Sequence, residues 1–252
     1  MRQPAVSAAP YRNLIMRLRF DPLAWEYEEF KTQLDEVALP FHEAAIIELQ
    51  KIHSEREEAL QQLIREAELE GDESEWQLQH DYARIEKERA KERERVSGWL
   101  ALVYLVSLLH FKLDKLKSIL DATHPPEKKY EGKSWLDRTI NEYQRRFRVN
   151  LEGHLEFASV RELVLARNAV EHNAGRPTED YRRLPQPRFL EKIERVEFLG
   201  LREQDVIAFS NQHFRESLRM LDEFVDWVVR ELIFVRGGTR PVGPLRGAQF
   251  VR

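Results

Sequence analysis

Residues 99–111, WLALVYLVSLLHF, make the longest apolar run in the chain, broken only by Ser107 and His110. A helix that is apolar on most of its faces has to be surrounded by other structure. The run is too short to cross a bilayer, which needs about 20 apolar residues. It therefore reads as the central helix of a protein core, extended over residues 96–120 by the amphipathic positions Leu113, Leu116, Ile119 and Leu120. Further helices must cover it. The composition allows this: 33% of residues are charged, and Gly and Pro together number 21 of 252. That balance, rich in Leu, Glu, Arg and Ala, favours an all-α protein.

Such helices are legible on both sides of the run. Phe41, Ala45, Leu49, Ile52, Leu60, Leu63 and Ile64 recur at mostly helical spacing, and Gly71 stops that helix. Asp72 and Glu75 resemble a capping box for the next one, whose stripe is Trp76, Leu78, Tyr82 and Ile85. Residues 86–95, EKERAKERER, are almost purely charged with alternating sign, which predicts a solvated helix laced by ion pairs rather than a basic nucleic-acid arm. Residues 41–95 thus form a helical hairpin, and Ser97-Gly98 predicts a kink before the apolar helix. Ser134 caps a helix burying Trp135, Leu136, Ile140, Tyr143 and Phe147. A helix ending at Asn173 follows, starting near Phe157 or Ser159, and Ser210 caps a last one running to about Val235.

The expected fold is all-α: a C-terminal four-helix bundle over residues 96–236 carrying the N-terminal hairpin extension of residues 41–95. Residues 1–40 form an arm with a short helix bearing Trp25, Tyr27, Phe30, Leu34 and Val37, ended by Pro40. Alternation around Val196 and Phe198 predicts a small β-hairpin near 193–209, turning at about 202–204. Residues 237–252, with three Arg and no acid, read as a disordered basic tail.

Charge is uneven. Residues 1–95 hold 14 Lys/Arg against 22 Asp/Glu, and residues 96–252 hold 26 against 22, so an anionic ligand is expected to meet the second part. The chain has no Cys, which excludes disulfides, cysteine-ligated metals and thiol nucleophiles. There is no P-loop, GxGxxG, HExxH or GxSxG, and the eight His show no metal-ligand spacing, so no cofactor and no metal are expected. With no signal-like segment at the start and no membrane span, the expectation is a soluble, cytoplasmic protein.

What remains is the stretch Arg161 to Gly175, RELVLARNAVEHNAG. Leu163, Leu165, Ala169 and Val170 give it an apolar side. Its last two turns carry Arg167, Asn168, Glu171, His172 and Asn173. Asn168 and His172 share a face, as do Arg167 and Glu171. This stretch resembles the motif of the HEPN superfamily, which implies metal-free RNA cleavage; that reaction needs a base for the ribose 2′-OH, an acid for the leaving 5′-oxygen and a cation for the crowded phosphate. His172 can serve as base or acid, Arg167 as the cation, and Asn168 can orient the imidazole or hold the phosphate. Glu171 is expected to pair with Arg167 or Arg148. Arg145, Arg148, Asn173 and Arg176 are candidate RNA contacts.

The string LVLARNAVEHN resembles the signature of the HEPN superfamily, an Arg, four to six residues, then a His, with Asn common after the Arg. The resemblance covers about residues 96–236. It implies a helical bundle and a homodimer with two motifs facing one cleft. It also implies metal-independent endoribonuclease activity on an RNA substrate, often in a toxin or antiviral defence effector with an antitoxin partner. In one branch a Tyr two residues after the His is modified by the antitoxin; Ala174 stands there in this chain. Other members have lost catalysis and act as scaffolds. The alternative is therefore a non-catalytic HEPN-like interaction protein whose 41–95 hairpin binds a partner.

Overall fold

The computed structural model describes residues 21–70, 73–126, 130–197 and 200–237. The arm at residues 1–20, the Gly71 stop, the Asp72 cap and the tail from Gly238 onward lie outside the described residues. The fold is mostly helical, with one two-stranded antiparallel sheet, as the patterning predicts. The helices are α1 (Pro22–Thr32), α2 (Leu39–Glu70), α3 (Glu73–Ile119), α4 (Trp135–Glu142), α5 (Phe157–Asn173), α6 (Glu179–Arg182) and α7 (Asn211–Val235). Strands β1 (Leu190–Glu197) and β2 (Gly200–Ile207) lie between α6 and α7.

Two compact units emerge, each assembled from separate stretches of chain. Among the described residues, unit 1 takes 21–34, 107–126, 130–161 and 219–237, and unit 2 takes 35–70, 73–106, 162–197 and 200–218. In unit 1, Asp21 caps α1 by accepting from the Leu23 amide at 2.9 Å, and Pro22 occupies the first helical position. Leu23, Tyr27 and Phe30 are buried, and the Tyr27 hydroxyl donates to Asp222 of α7 at 2.8 Å. Lys112 of α3 is completely buried. Its ammonium meets Glu26 at 2.8 Å and Glu29 at 3.2 Å on α1, while Lys115 meets the same two carboxylates at 2.9 and 3.1 Å. Hydrogen bonds from Lys115 and Lys112 hold the Glu29 carboxyl down at about 2. Ser134 and Asp137 form the capping box that starts α4.

In unit 2, α2 and the first part of α3 form the hairpin. Arg56 reaches Glu86 at 2.8 Å and Glu68 accepts from the Trp76 indole at 3.1 Å, so the sequence separation of contacting partners shrinks toward the turn, as in an antiparallel pair. Glu86 collects Arg89 as well, at 2.7 Å, and these two guanidinium groups lower its carboxyl to about 2.

Four local expectations are corrected. No kink occurs at Ser97-Gly98, because α3 runs unbroken from Glu73 to Ile119. Gly98 serves close approach instead: a Cβ there would lie 2.0 Å from the Phe209 carbonyl oxygen. Pro40 does not end a helix. It lies inside a helical run unbroken from Pro22 to Glu70, directly after the π-helical turn at Gln33–Ala38. Of the apolar residues expected to bury the short helix of the arm against the rest of the fold, Trp25 and Val37 are exposed. The β-hairpin exists, but its closing pair is Glu197–Gly200, not a turn at 202–204, so Gly200 opens a strand instead of interrupting one. By length and composition α3 also holds one 18-residue window apolar enough to span a bilayer; half of that window is buried inside the protein.

One buried and one half-buried histidine make stability acid-sensitive. His42 stacks on Phe214 with ring centroids 4.0 Å apart, and His154 packs on Trp227 at 4.9 Å; burial pushes both below the ordinary 6.5. The unfolded chain therefore binds more protons just below that value, so stability is complete above about pH 6.5 and declines as pH falls through the folded values. The depressed carboxyls of Glu29 and Glu86 act only below 4.5. Urea midpoints measured between about pH 7 and pH 5 should fall for the native chain and stay nearly flat for His42→Leu/His154→Leu.

Candidate functional site

Helix α5 carries the Arg167–His172 motif, and its end is fixed by packing. Leu163, Val164, Ala166 and Ala169 are buried, while Leu165 and Val170 are half-buried. The helix closes in a left-handed stop, with Ala174 at φ 49° and Gly175 at φ 77°. The Gly175 amide donates back to the Ala169 carbonyl at 3.1 Å, and that of Arg176 to Asn173 at 3.0 Å. Gly175 also lies flat against Trp99 of α3: a Cβ at this glycine would meet the indole ring at 2.1 Å. The Trp99 indole N–H donates to the Ile207 carbonyl at 2.7 Å, and the Ile207 amide donates to the Gly175 carbonyl at 2.8 Å. Helix α3, the stop of α5 and the end of β2 are thereby closed into one bonded triangle.

On this fixed end the polar group divides in two. Arg167 is half-buried and pinned. Its Nη1 pairs with Glu171 Oε2 at 2.8 Å and donates to Asn168 Oδ1 at 3.2 Å. The expected Arg167–Glu171 pair is therefore formed, and the hydrogen bond of Asn168 goes to Arg167. The Arg167 Nε is buried without a hydrogen-bond partner. His172 is the opposite case, with 73% of its side chain exposed and its Nε2 3.9 Å from the same Glu171 oxygen that holds Arg167. One carboxylate thus faces both a guanidinium and an imidazole. Asn173 is exposed, and its Nδ2 donates to the Arg176 carbonyl at 2.9 Å. Arg176 is exposed beside it. Arg145 and Arg148 are exposed residues of unit 1, whereas the motif belongs to unit 2; Arg148 adopts φ 60° just after a π-helical turn.

The supports of this helix include residues that sequence reasoning passed over. Glu162 is buried near the start of α5. Its Oε1 accepts from the Tyr181 hydroxyl at 3.1 Å and the Arg188 amide at 2.6 Å, and its Oε2 from the Arg188 guanidinium at 2.6 Å. The Tyr181 hydroxyl in turn accepts from the Phe189 amide at 3.0 Å. Burial, with Glu162 beside it, pushes the Tyr181 hydroxyl well above its ordinary value. This network ties down the segment between α5 and β1, which includes the short helix α6, capped by Thr178. A signal was present: Glu162 sits four and seven residues before Ala166 and Ala169, hence on the buried face. Trp99 carried no such signal, since one indole in an apolar run looks like plain core.

Among the described residues, no three His, Asp or Glu side chains are grouped to hold a metal ion. No protein-family model, curated protein or solved structure matches the chain. Gly175→Ala should cost about 2 kcal/mol or more, from the left-handed backbone together with the clash on Trp99. Thermal unfolding measures this, and a loss below about 0.5 kcal/mol would contradict the triangle just described.

Proposed function

We propose that the protein is a metal-independent endoribonuclease of HEPN type, acting as a homodimer in which two copies of the α5 end form one composite site. The observation that carries the reading is the division of labour on that helix end: a pinned cation and an exposed imidazole sharing one carboxylate. Arg167 is oriented by Glu171 and Asn168, so little side-chain freedom is lost when it meets a phosphorane. His172 is open to a substrate and takes or gives the proton. Cleavage passes through attack of the ribose 2′-oxygen on the adjacent phosphorus, with departure of the 5′-oxygen. One imidazole removes the 2′-proton and another acid protonates the leaving oxygen, a role assigned to His172 of the second copy. Asn173 and Arg176 are the proposed contacts to the RNA backbone beside the motif, and Arg145 and Arg148 are proposed backbone contacts on unit 1 by itself. A toxin or defence role with an antitoxin partner, in the cytoplasm, belongs to the same proposal.

The test is cleavage of a mixed RNA substrate with EDTA present. Activity is expected in the native chain, with a loss of roughly a hundredfold or more in His172→Ala and in Arg167→Ala at unchanged circular dichroism. EDTA-sensitive cleavage, or cleavage surviving both substitutions, overturns the proposal.

A second reading has an observation of its own. On the hairpin, Leu63, Leu78, Tyr82 and Ile85 are exposed, three of them along one stripe of α3. A non-catalytic interaction protein would use that stripe to bind a partner helix. It requires no RNA cleavage, and its partner should be lost in Tyr82→Lys/Ile85→Lys.

A further inference from the structure

The alternating charges of residues 86–95 are sorted by the hairpin. Between α2 and α3 lies a groove of about 360 Å³. Its charged lining is Arg56, Arg84, Lys87 and Arg93 against Glu57 and Glu86. Glu86 is already engaged. Glu86 faces three guanidinium groups, those of Arg56 at 2.8 Å, Arg89 at 2.7 Å and Arg93 at 3.7 Å. Glu57 lies 3.8 Å from His53, which also lines the groove. The other cations are poorly matched in return. Lys87 makes no ion pair among the described residues, and Arg84 meets only Asp81, at 3.7 Å, with 79% of its side chain exposed. The Arg93 Nη2 is buried without a hydrogen-bond partner. Like charges crowded into a concave surface raise the local potential, and the cost of crowding falls when an anion enters.

We propose that this groove is a binding site for closely spaced phosphates, the chemistry shared by a free diphosphate group and a nucleic-acid backbone. A single carboxylate would neutralise one cation and leave the others crowded. Successive phosphates match cations spread along two helices, and guanidinium groups bind their oxygens in a bidentate fork. The volume suits a ligand of diphosphate to nucleotide size. The site is separate from the Arg167–His172 helix end, and the proposal does not rest on the ribonuclease reading.

The experiment titrates the full chain with inorganic pyrophosphate and, separately, with a short oligoribonucleotide lacking terminal phosphates, both calorimetrically and in EDTA. To keep the second ligand intact, the chain carries His172→Ala in every arm. At least one of the two ligands should bind, more weakly as salt rises. Affinity should fall roughly tenfold or more in Lys87→Gln/Arg93→Gln and remain unchanged in Lys91→Gln, whose side chain pairs with Glu88 and lies outside the groove. Pyrophosphate binding identifies a free phosphorylated ligand, and binding of the oligoribonucleotide alone identifies the backbone; either supports the proposal. No binding of either ligand overturns it. So does equal affinity in the double variant, or an equal loss in Lys91→Gln.

Discussion

The contact of Trp99 with Gly175 sets the position of everything proposed for α5. A helix end is normally the most mobile part of a helix, because its last carbonyls lack partners. Here the chain leaves the helix through a left-handed glycine. That glycine has no Cβ, so an indole ring can lie against its backbone. The same indole donates to Ile207, and Ile207 donates back to Gly175. Any side chain at residue 175 would push α3 and α5 apart. The last two turns of α5, where Arg167, Asn168, Glu171 and His172 sit, therefore end at a packed point and not at a free one.

Helices were legible because their signals are periodic and local. Ser134 with Asp137 fixes where α4 begins, and Ser210 does the same for α7 by accepting from the His213 amide. The Arg167–Glu171 pair follows from four-residue spacing alone. The misread places are those where a residue has two uses. Gly98 can bend a helix or admit a neighbouring backbone, and only the position of Phe209 decides between them. Pro40 can end a helix or be carried within one, and the π-helical turn before it decides. Gly200 can close a turn or open a strand, and the register with Glu197 decides. In each case the deciding partner is distant in sequence or depends on backbone geometry, so local patterning carries no trace of it.

Buried charge shows the same limit. Lys112 lies in a run that reads as ordinary amphipathic helix, yet it is fully buried between Glu26 and Glu29, more than eighty residues away. Such a group is tolerable only when each charge is matched, because an unpartnered ammonium in the core would cost several kcal/mol. The second lysine, Lys115, completes the match and leaves two positive and two negative charges in contact. Specific pairing of this kind fixes which face of α1 meets α3 more strictly than apolar contact, which tolerates rotation.

Residues 86–95 present the contrasting case, in which charges are close but not all matched. In sequence the run alternates, and its nearest-neighbour pairs satisfy it. Folding into a hairpin brings Arg56 from the opposite helix onto Glu86, which already has Arg89 three residues along. One carboxylate cannot neutralise several guanidinium groups, so the surplus is positive and local, although the first 95 residues as a whole are acidic. A net charge summed over a segment thus has the wrong sign for the surface that a ligand would meet. The relevant quantity is the balance within one groove, where partners three residues apart and thirty residues apart count alike.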